Sequence, residues 1–307
     1  MNHLSISQKY LHDLYPEIEA TGKQLADLAV VKNLIGKTVV VKYGGNAMIN
    51  QELKEQVLAD ISLIQSLGIN VAVIHGGGPE ITAMLNKVGK KSEFVAGLRV
   101  TDPETMELAE MVLVGKTNTS LVATLSSHGI KAVGLNGKDG AMMLAKKHFA
   151  NVYESDSVKQ VDVGYVGEVY KVNKDLPIAL ISAGYIPVIS PIAMGENGES
   201  YNINADTAAG DIAGALGAEQ LILLTDTKGI YSDFGNEDSF INQLHYSDAI
   251  ALMHKGKIEG GMIPKVKSCI TAINGGTKRA YIIDGRERHS VLRSLFSNDS
   301  IGTEVLK

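Results

Sequence analysis

The strongest constraint in this sequence is an alternation. Short runs of β-forming residues end in a charged residue or a glycine cluster, and segments with helical periodicity follow them. Thr38–Val41 leads into Lys42-Tyr43-Gly44-Gly45, and Ile69–His75 (INVAVIH) leads into Gly76-Gly77-Gly78-Pro79. Lys131–Leu135, Tyr185–Ser190, Leu221–Thr225 (LILLT) and Arg279–Asp284 repeat the theme. LILLT has no apolar–polar alternation, the mark of a strand covered on both faces, as in parallel sheets. Between the strands, Leu53, Val57, Leu58, Ile61, Ile64 and Leu67 recur on one face of a helix that Gly68 stops. Asp102 and Pro103 open another helix, read as unbroken to Ser127 with Gly129 as its stop. Further helices are expected over Lys174–Ala183, from Asp206 to Leu216, and over Ser247–Lys255, Met262–Ile273 and His289–Phe296. This order predicts an α/β fold, a three-layer αβα sandwich around a mainly parallel sheet. Met142–Lys147 and Val161–Val172 alternate instead, which predicts an antiparallel ribbon outside the main sheet.

The expected organisation is a helical extension over residues 1–36, an N-lobe over 37–216 and a C-lobe over 217–307. The extension carries Leu11, Leu14, Ile18, Leu25, Leu28, Val31 and Ile35 at roughly helical spacing. A hydrophobic content of 45% is that of an ordinary globular protein. A net charge of −5 offers no basic field, so nucleic acid is not an expected partner. A single cysteine, Cys269, excludes an internal disulfide framework and a thiolate metal cage. The eight histidines show no paired metal-ligand spacing, so no protein-held metal is expected. Neither a signal-peptide pattern nor a membrane-spanning apolar run is visible, and a cytoplasmic location is expected.

In open α/β sheets ligands bind beyond the carboxyl ends of the strands. Lys42, Gly76–Gly78 and Asp226 fall at such ends. Glycines let backbone N–H groups crowd an anion, and a lysine adds a full positive charge. The alternative for Gly44-Gly45 is an ordinary tight turn. Arg99 is either a solvated side chain or a two-point grip on a carboxylate. Of Asn202, Asn204 and Asp206, one caps the following helix, which leaves two polar residues unexplained. Two lookalikes fail. Gly36-Lys37-Thr38 and Gly115-Lys116-Thr117 lack the upstream glycine of a P-loop, having Val31 and Glu110 there. Asp233-Phe234-Gly235 has no companion catalytic loop of a protein kinase.

Taken in order, VKYGGNAM, HGGGPEI, GLRVTD, YNINADTAA, LILLTDTKGIY and GGMIPKV resemble the N-acetyl-L-glutamate kinases of the amino-acid kinase family, over about Gly36 to Lys307. The resemblance implies phosphorylation of the γ-carboxylate of N-acetylglutamate by ATP, with Mg2+ carried by the nucleotide, in arginine synthesis. It implies that Lys42 and Lys265 stabilise the transferring phosphoryl group and that Asp206 orients both. It assigns Gly77, Gly78, Arg99 and Asn202 to the substrate. Gly44, Gly45, Thr225, Asp226 and Lys228 are assigned to the nucleotide. It further implies a homodimer or larger homo-oligomer. Lys42 and Lys265 lie in opposite halves of the chain, which predicts a hinge near Leu216–Gln220 with lobe closure assembling the site. Arginine-inhibited members carry a tyrosine before the first strand and a glutamate in the closing helix. Val30 and Arg293 stand there in this chain. A cation at 293 repels a guanidinium, so the resemblance does not extend to arginine inhibition or to the hexamer that accompanies it. A sibling kinase acting on N-acetyl-aminoadipate or aspartate, and a non-catalytic ligand sensor of the same fold, are the alternatives.

Overall fold

The computed structural model describes residues 28–44, 48, 50–154, 157–233, 235–296 and 301–307. Most of the N-terminal extension, Gly45 and the side chain of Val30 lie outside the described residues. An eight-stranded sheet runs in the order Gln243–His245, Thr303–Leu306, Arg279–Asp284, Gln220–Thr225, Thr38–Tyr43, Asn70–His75, Ile186–Ser190, Ala132–Asn136. Neighbours are parallel except Thr303–Leu306, which runs antiparallel to Arg279–Asp284. The expected αβα sandwich is therefore present.

Burial explains the missing alternation. Val40, Ala72, Leu221 and Leu223 point to one face, against Ala209, Ile212, Val266 and Ile273. Val39, Val41, Val71 and Ile222 point to the other, against Leu58, Ile61, Ile64 and Leu125. Successive strand residues thus each meet a helical layer, and neither face needs polar side chains.

Three expectations need correction. The ribbon is longer than its alternating segments, spanning Met143–Glu154 and Ser157–Val172. With Ile192–Met194 and Ser200–Asn202 it closes into a small barrel. The stretch from Pro103 to Ser127 is not one α-helix. Pro103–Glu110 is α-helical, with Asp102 accepting from Thr105 N at 2.8 Å. Met111–Asn118 is π-helical, and Thr119–Ser127 returns to α. The strands Gln243–His245 and Thr303–Leu306 carry too few residues for a periodic signal. At 216/217 Gly217 ends the Ala205–Leu216 helix in the left-handed region (φ 58°), while the sheet itself continues across that boundary. In the closing helix Ser290–Phe296, Arg293 Nη1 lies 2.9 Å from Glu287 Oε2.

Candidate active site

Three helix or strand ends converge beyond the central strand. Lys42 leaves Thr38–Tyr43 and folds over Gly44, where an added Cβ would stand 2.8 Å from Nζ. Asp206 lies in the first turn of Ala205–Leu216, and Asn204 is the cap, accepting from Asp206 N at 2.9 Å and Thr207 N at 3.1 Å. Lys265 lies in the first turn of Met262–Asn274.

Lys265 donates to Asp206 Oδ2 at 2.7 Å, and Lys42 Nζ makes an ion-pair contact of 2.9 Å with Oδ1. One carboxylate thus holds two ammonium groups that are 223 positions apart (265 − 42), and one positive charge is left over. All three side chains are largely buried. Burial works against the charge on Asp206, but Lys42 and Lys265 outweigh it and hold the carboxyl below its ordinary value. Burial pushes the Lys42 ammonium down, and Asp206 restores part of that loss.

The two helices are locked together beneath this cluster. Ser268 Oγ donates to the Asp206 carbonyl. A Cβ on Gly210 would stand 2.6 Å from Ser268 O, and one on Gly275 would stand 2.6 Å from Gly214 Cα. Backbone meets backbone here, which only glycine allows.

On one side of the cluster lies the triple-glycine turn. Gly76 N donates to Tyr43 O at 2.8 Å, tying it to the neighbouring strand end. Gly77 caps the Gly78–Lys87 helix, with Pro79 in its first turn. A Cβ on Gly77 would run into Leu113 Cδ2, so the position is restricted to glycine by space. Arg99 is 7% exposed and donates to Ser92 Oγ, Gly78 O and Thr82 Oγ1, with its guanidinium 4.7 Å from the Phe94 ring centroid. All these partners are neutral. Among the described residues this buried cation has no carboxylate partner, an arrangement that favours an incoming anion. Asn202 ends the short strand Ser200–Asn202, half-buried and two residues before the cap.

On the other side a cavity of about 700 Å³ opens. Lys42 and Lys265 stand in its wall, together with Thr225 and Asp226 from the strand end. Lys228 does not line it; its Nζ lies 4.5 Å from the Phe240 ring centroid. Thr227, Tyr231, Asp233, Lys257, Ile258 and Met262 do line it, and sequence reasoning missed them. Most come from non-periodic loops, with Tyr231 from the two-residue strand Ile230–Tyr231 and Met262 from the start of Met262–Asn274, and the one usable signal was Gly260-Gly261 ahead of that helix. Met262 N and Ile263 N already donate to Glu259 O at 3.2 Å and Gly260 O at 3.3 Å, and Pro264 has no N–H, so this helix start offers the cavity a positive dipole end more than free donors. Among the described residues no group of three or more His, Cys, Asp or Glu side chains is placed to hold a metal ion. Asp206 is engaged by both lysines.

The chain is similar to known proteins over most of its length. The chain is 51% identical over 291 residues to an acetylglutamate kinase of Heliobacterium modesticaldum, covering 94% of this chain and 99% of that one. It is 48% identical over 289 residues to an acetylglutamate kinase of Moorella thermoacetica, covering 94% and 98%. Among solved structures, N-acetylglutamate synthase from Neisseria gonorrhoeae, complexed with coenzyme A and N-acetyl-glutamate, superposes with a TM-score of 0.75. Identity is 24%, over 91% of this chain and 61% of the longer synthase chain. Carbamate kinase from Giardia lamblia bound to AMP-PNP gives a TM-score of 0.63 at 19% identity, over 88% and 98%. The profile of the amino acid kinase family matches residues 37–284, and the chain belongs to that family.

Proposed function

We propose that this chain is an acetylglutamate kinase: it transfers the γ-phosphoryl group of ATP to the γ-carboxylate of N-acetyl-L-glutamate, yielding N-acetyl-L-glutamyl 5-phosphate for arginine biosynthesis. One observation carries the reading. Two lysines from distant parts of the chain share Asp206 between a nucleotide-sized cavity and a buried arginine that lacks an anion.

The acceptor carboxylate and the phosphoryl group are both negative, and at about 4 Å their repulsion is worth roughly 4 kcal/mol at an effective dielectric of 20. Lys42 and Lys265 offset it from either flank, and Asp206 keeps both ammonium groups aimed at the gap. No proton has to be removed, because the acceptor is already ionised at neutral pH. Catalysis is then positioning plus electrostatic stabilisation. Arg99 holds the α-carboxylate of the acceptor, aided by Asn202 and the Gly77 and Gly78 backbone. Gly44, Gly45, Thr225 and Asp226 attend the nucleotide; Lys228 joins them only if its loop turns inward. Bound MgATP supplies the phosphoryl group, with the magnesium held by its own phosphates.

The lobe assignment, 37–216 for acceptor and 217–307 for nucleotide, is supported by the cavity, whose lining is drawn from 224–265 apart from Lys42. A cytoplasmic homodimer or larger homo-oligomer completes the reading. Among the described residues no helix is long and apolar enough to cross a membrane. Acyl-phosphate formation, trapped by hydroxylamine, tests the assignment. N-acetylglutamate should be the best acceptor in a panel with N-acetyl-aminoadipate and aspartate. Faster turnover of either alternative would move the enzyme to a sibling activity.

A further inference from the structure

The π-helical stretch Met111–Asn118 lies against the triple-glycine turn. Leu113 closes on Gly77, and Thr117 Oγ1 stands 3.8 Å from the Cβ position of that glycine. Asn118, at the end of the stretch, reaches beneath the neighbouring strand ends. Its Nδ2 is 2.8 Å from Val188 O, 3.1 Å from His75 Nε2 and 3.5 Å from Leu135 O. Its amide oxygen occupies the space a Cβ on Gly134 would need, so Gly134 makes room for it. His75 is fully buried and Asn118 is 4% exposed.

These contacts admit one protonation pattern. A backbone carbonyl can only accept, so the nitrogen of the Asn118 amide faces Val188. Its second hydrogen goes to the nearer remaining partner, Nε2 of His75 at 3.1 Å against Leu135 O at 3.5 Å, and that ring nitrogen is then an acceptor. The ring proton is therefore on Nδ1, 2.7 Å from Gly76 O, again an acceptor only. Both ends of the chain of bonds terminate on backbone, and a doubly protonated ring would set N–H against N–H.

We propose that His75 and Asn118 are a positioning pair: Asn118 fixes the Nδ1–H tautomer of His75, and that ring holds the Gly76 carbonyl so that the Gly77 and Gly78 amides face the acceptor. The pair touches neither nucleotide nor acceptor and acts through the turn. It rests on the assignment of that turn to the acceptor. Burial also drives His75 down to about 4, which keeps it neutral at physiological pH.

Two substitutions separate positioning from mere packing. In His75→Asn the amide nitrogen falls near the Nδ1 position and still donates to Gly76 O. In His75→Gln it falls near Nε2 and does not. His75→Gln should lower kcat/KM for the acceptor at least about tenfold, while His75→Asn stays within about threefold. The KM for ATP should hold within about twofold in both, since the cavity lies on the far side of the lysines. A Gln variant equal to or better than the Asn variant, or two variants indistinguishable from the parent, overturns the proposal. The tautomer can be read without substitution by 15N NMR of the histidine-labelled full chain. A neutral ring protonated on Nδ1 at pH 7 supports the pair, and an Nε2–H ring or an imidazolium overturns it. A parent enzyme that does not turn over N-acetylglutamate would count against the proposed function instead, and the spectrum would still decide the tautomer.

Discussion

Two polar networks lie beneath adjacent ends of one sheet, and they are built on opposite principles. Under Thr38–Tyr43 the network is ionic: Lys42, Asp206 and Lys265 carry three full charges that sum to +1. Under Asn70–His75 it is neutral: His75 and Asn118 carry none, and their chain of bonds terminates at both ends on backbone carbonyls. Tyr43 and His75 are register partners, so the two networks share a boundary. The charged network is unbalanced and directed outward, where an anion can complete it. The neutral one is complete in itself and directed at the backbone. The difference teaches that field and shape are supplied separately in this site, by groups that should fail in different ways.

The ionic side should fail hardest in turnover. Lys265→Ala or Lys42→Ala should reduce kcat about a thousandfold or more while KM values change a few-fold at most. Steady-state kinetics decides this, and a variant with near-normal turnover would remove that lysine from the mechanism. Asp206→Asn breaks the same network at its centre, leaving two poorly solvated ammonium groups without a counter-charge. It should cost about 3 kcal/mol of unfolding free energy in denaturant titration, on top of a loss of kcat.

The neutral side should show itself in stability against pH. Between about pH 6.5 and 4 the unfolded chain binds a proton at His75 and the folded chain does not. Stability should therefore fall as pH drops through that window, by on the order of 3 kcal/mol in total. His75→Asn should flatten this segment of the thermal unfolding profile; an unchanged slope would place the titration elsewhere. The smallest effect is expected at the acceptor grip. Arg99→Lys keeps the charge but loses the fork that spans Ser92, Gly78 and Thr82, and should raise the acceptor KM about tenfold with kcat less affected.

The ionic network was more legible in the sequence than the neutral one. Lys42 stood out as a lysine at a strand end ahead of glycines, and the family resemblance added Lys265 and the role of Asp206 before any geometry. The central strands were legible because two helical layers strip their sequences of polar residues on both faces. His75 and Asn118 read as the last residue of a strand and an interior residue of a helix. Nothing in the apolar spacing of Met111–Asn118 separates a π register from an α register, since both can bury the same face. The cavity wall from Thr227 to Met262 was hidden for a related reason. Loop residues such as Asp233 and Ile258 are brought together by tertiary contacts that leave no periodic trace.

The glycine-mediated seam between Ala205–Leu216 and Met262–Asn274 bears on how such an enzyme opens. Gly210 against Ser268, and Gly214 against Gly275, leave no side-chain cushion that could slide or rotate. The pair of rods behaves as one spar, with an anchor point for each of Asp206 and Lys265. A hinge at Leu216–Gln220 would fall between these two helices, and the seam opposes any swing there that separates Lys265 from its carboxylate. The electrostatic trap is thus built into the fold, with Lys42, Asp206 and Lys265 held in contact by the packing of the helices themselves.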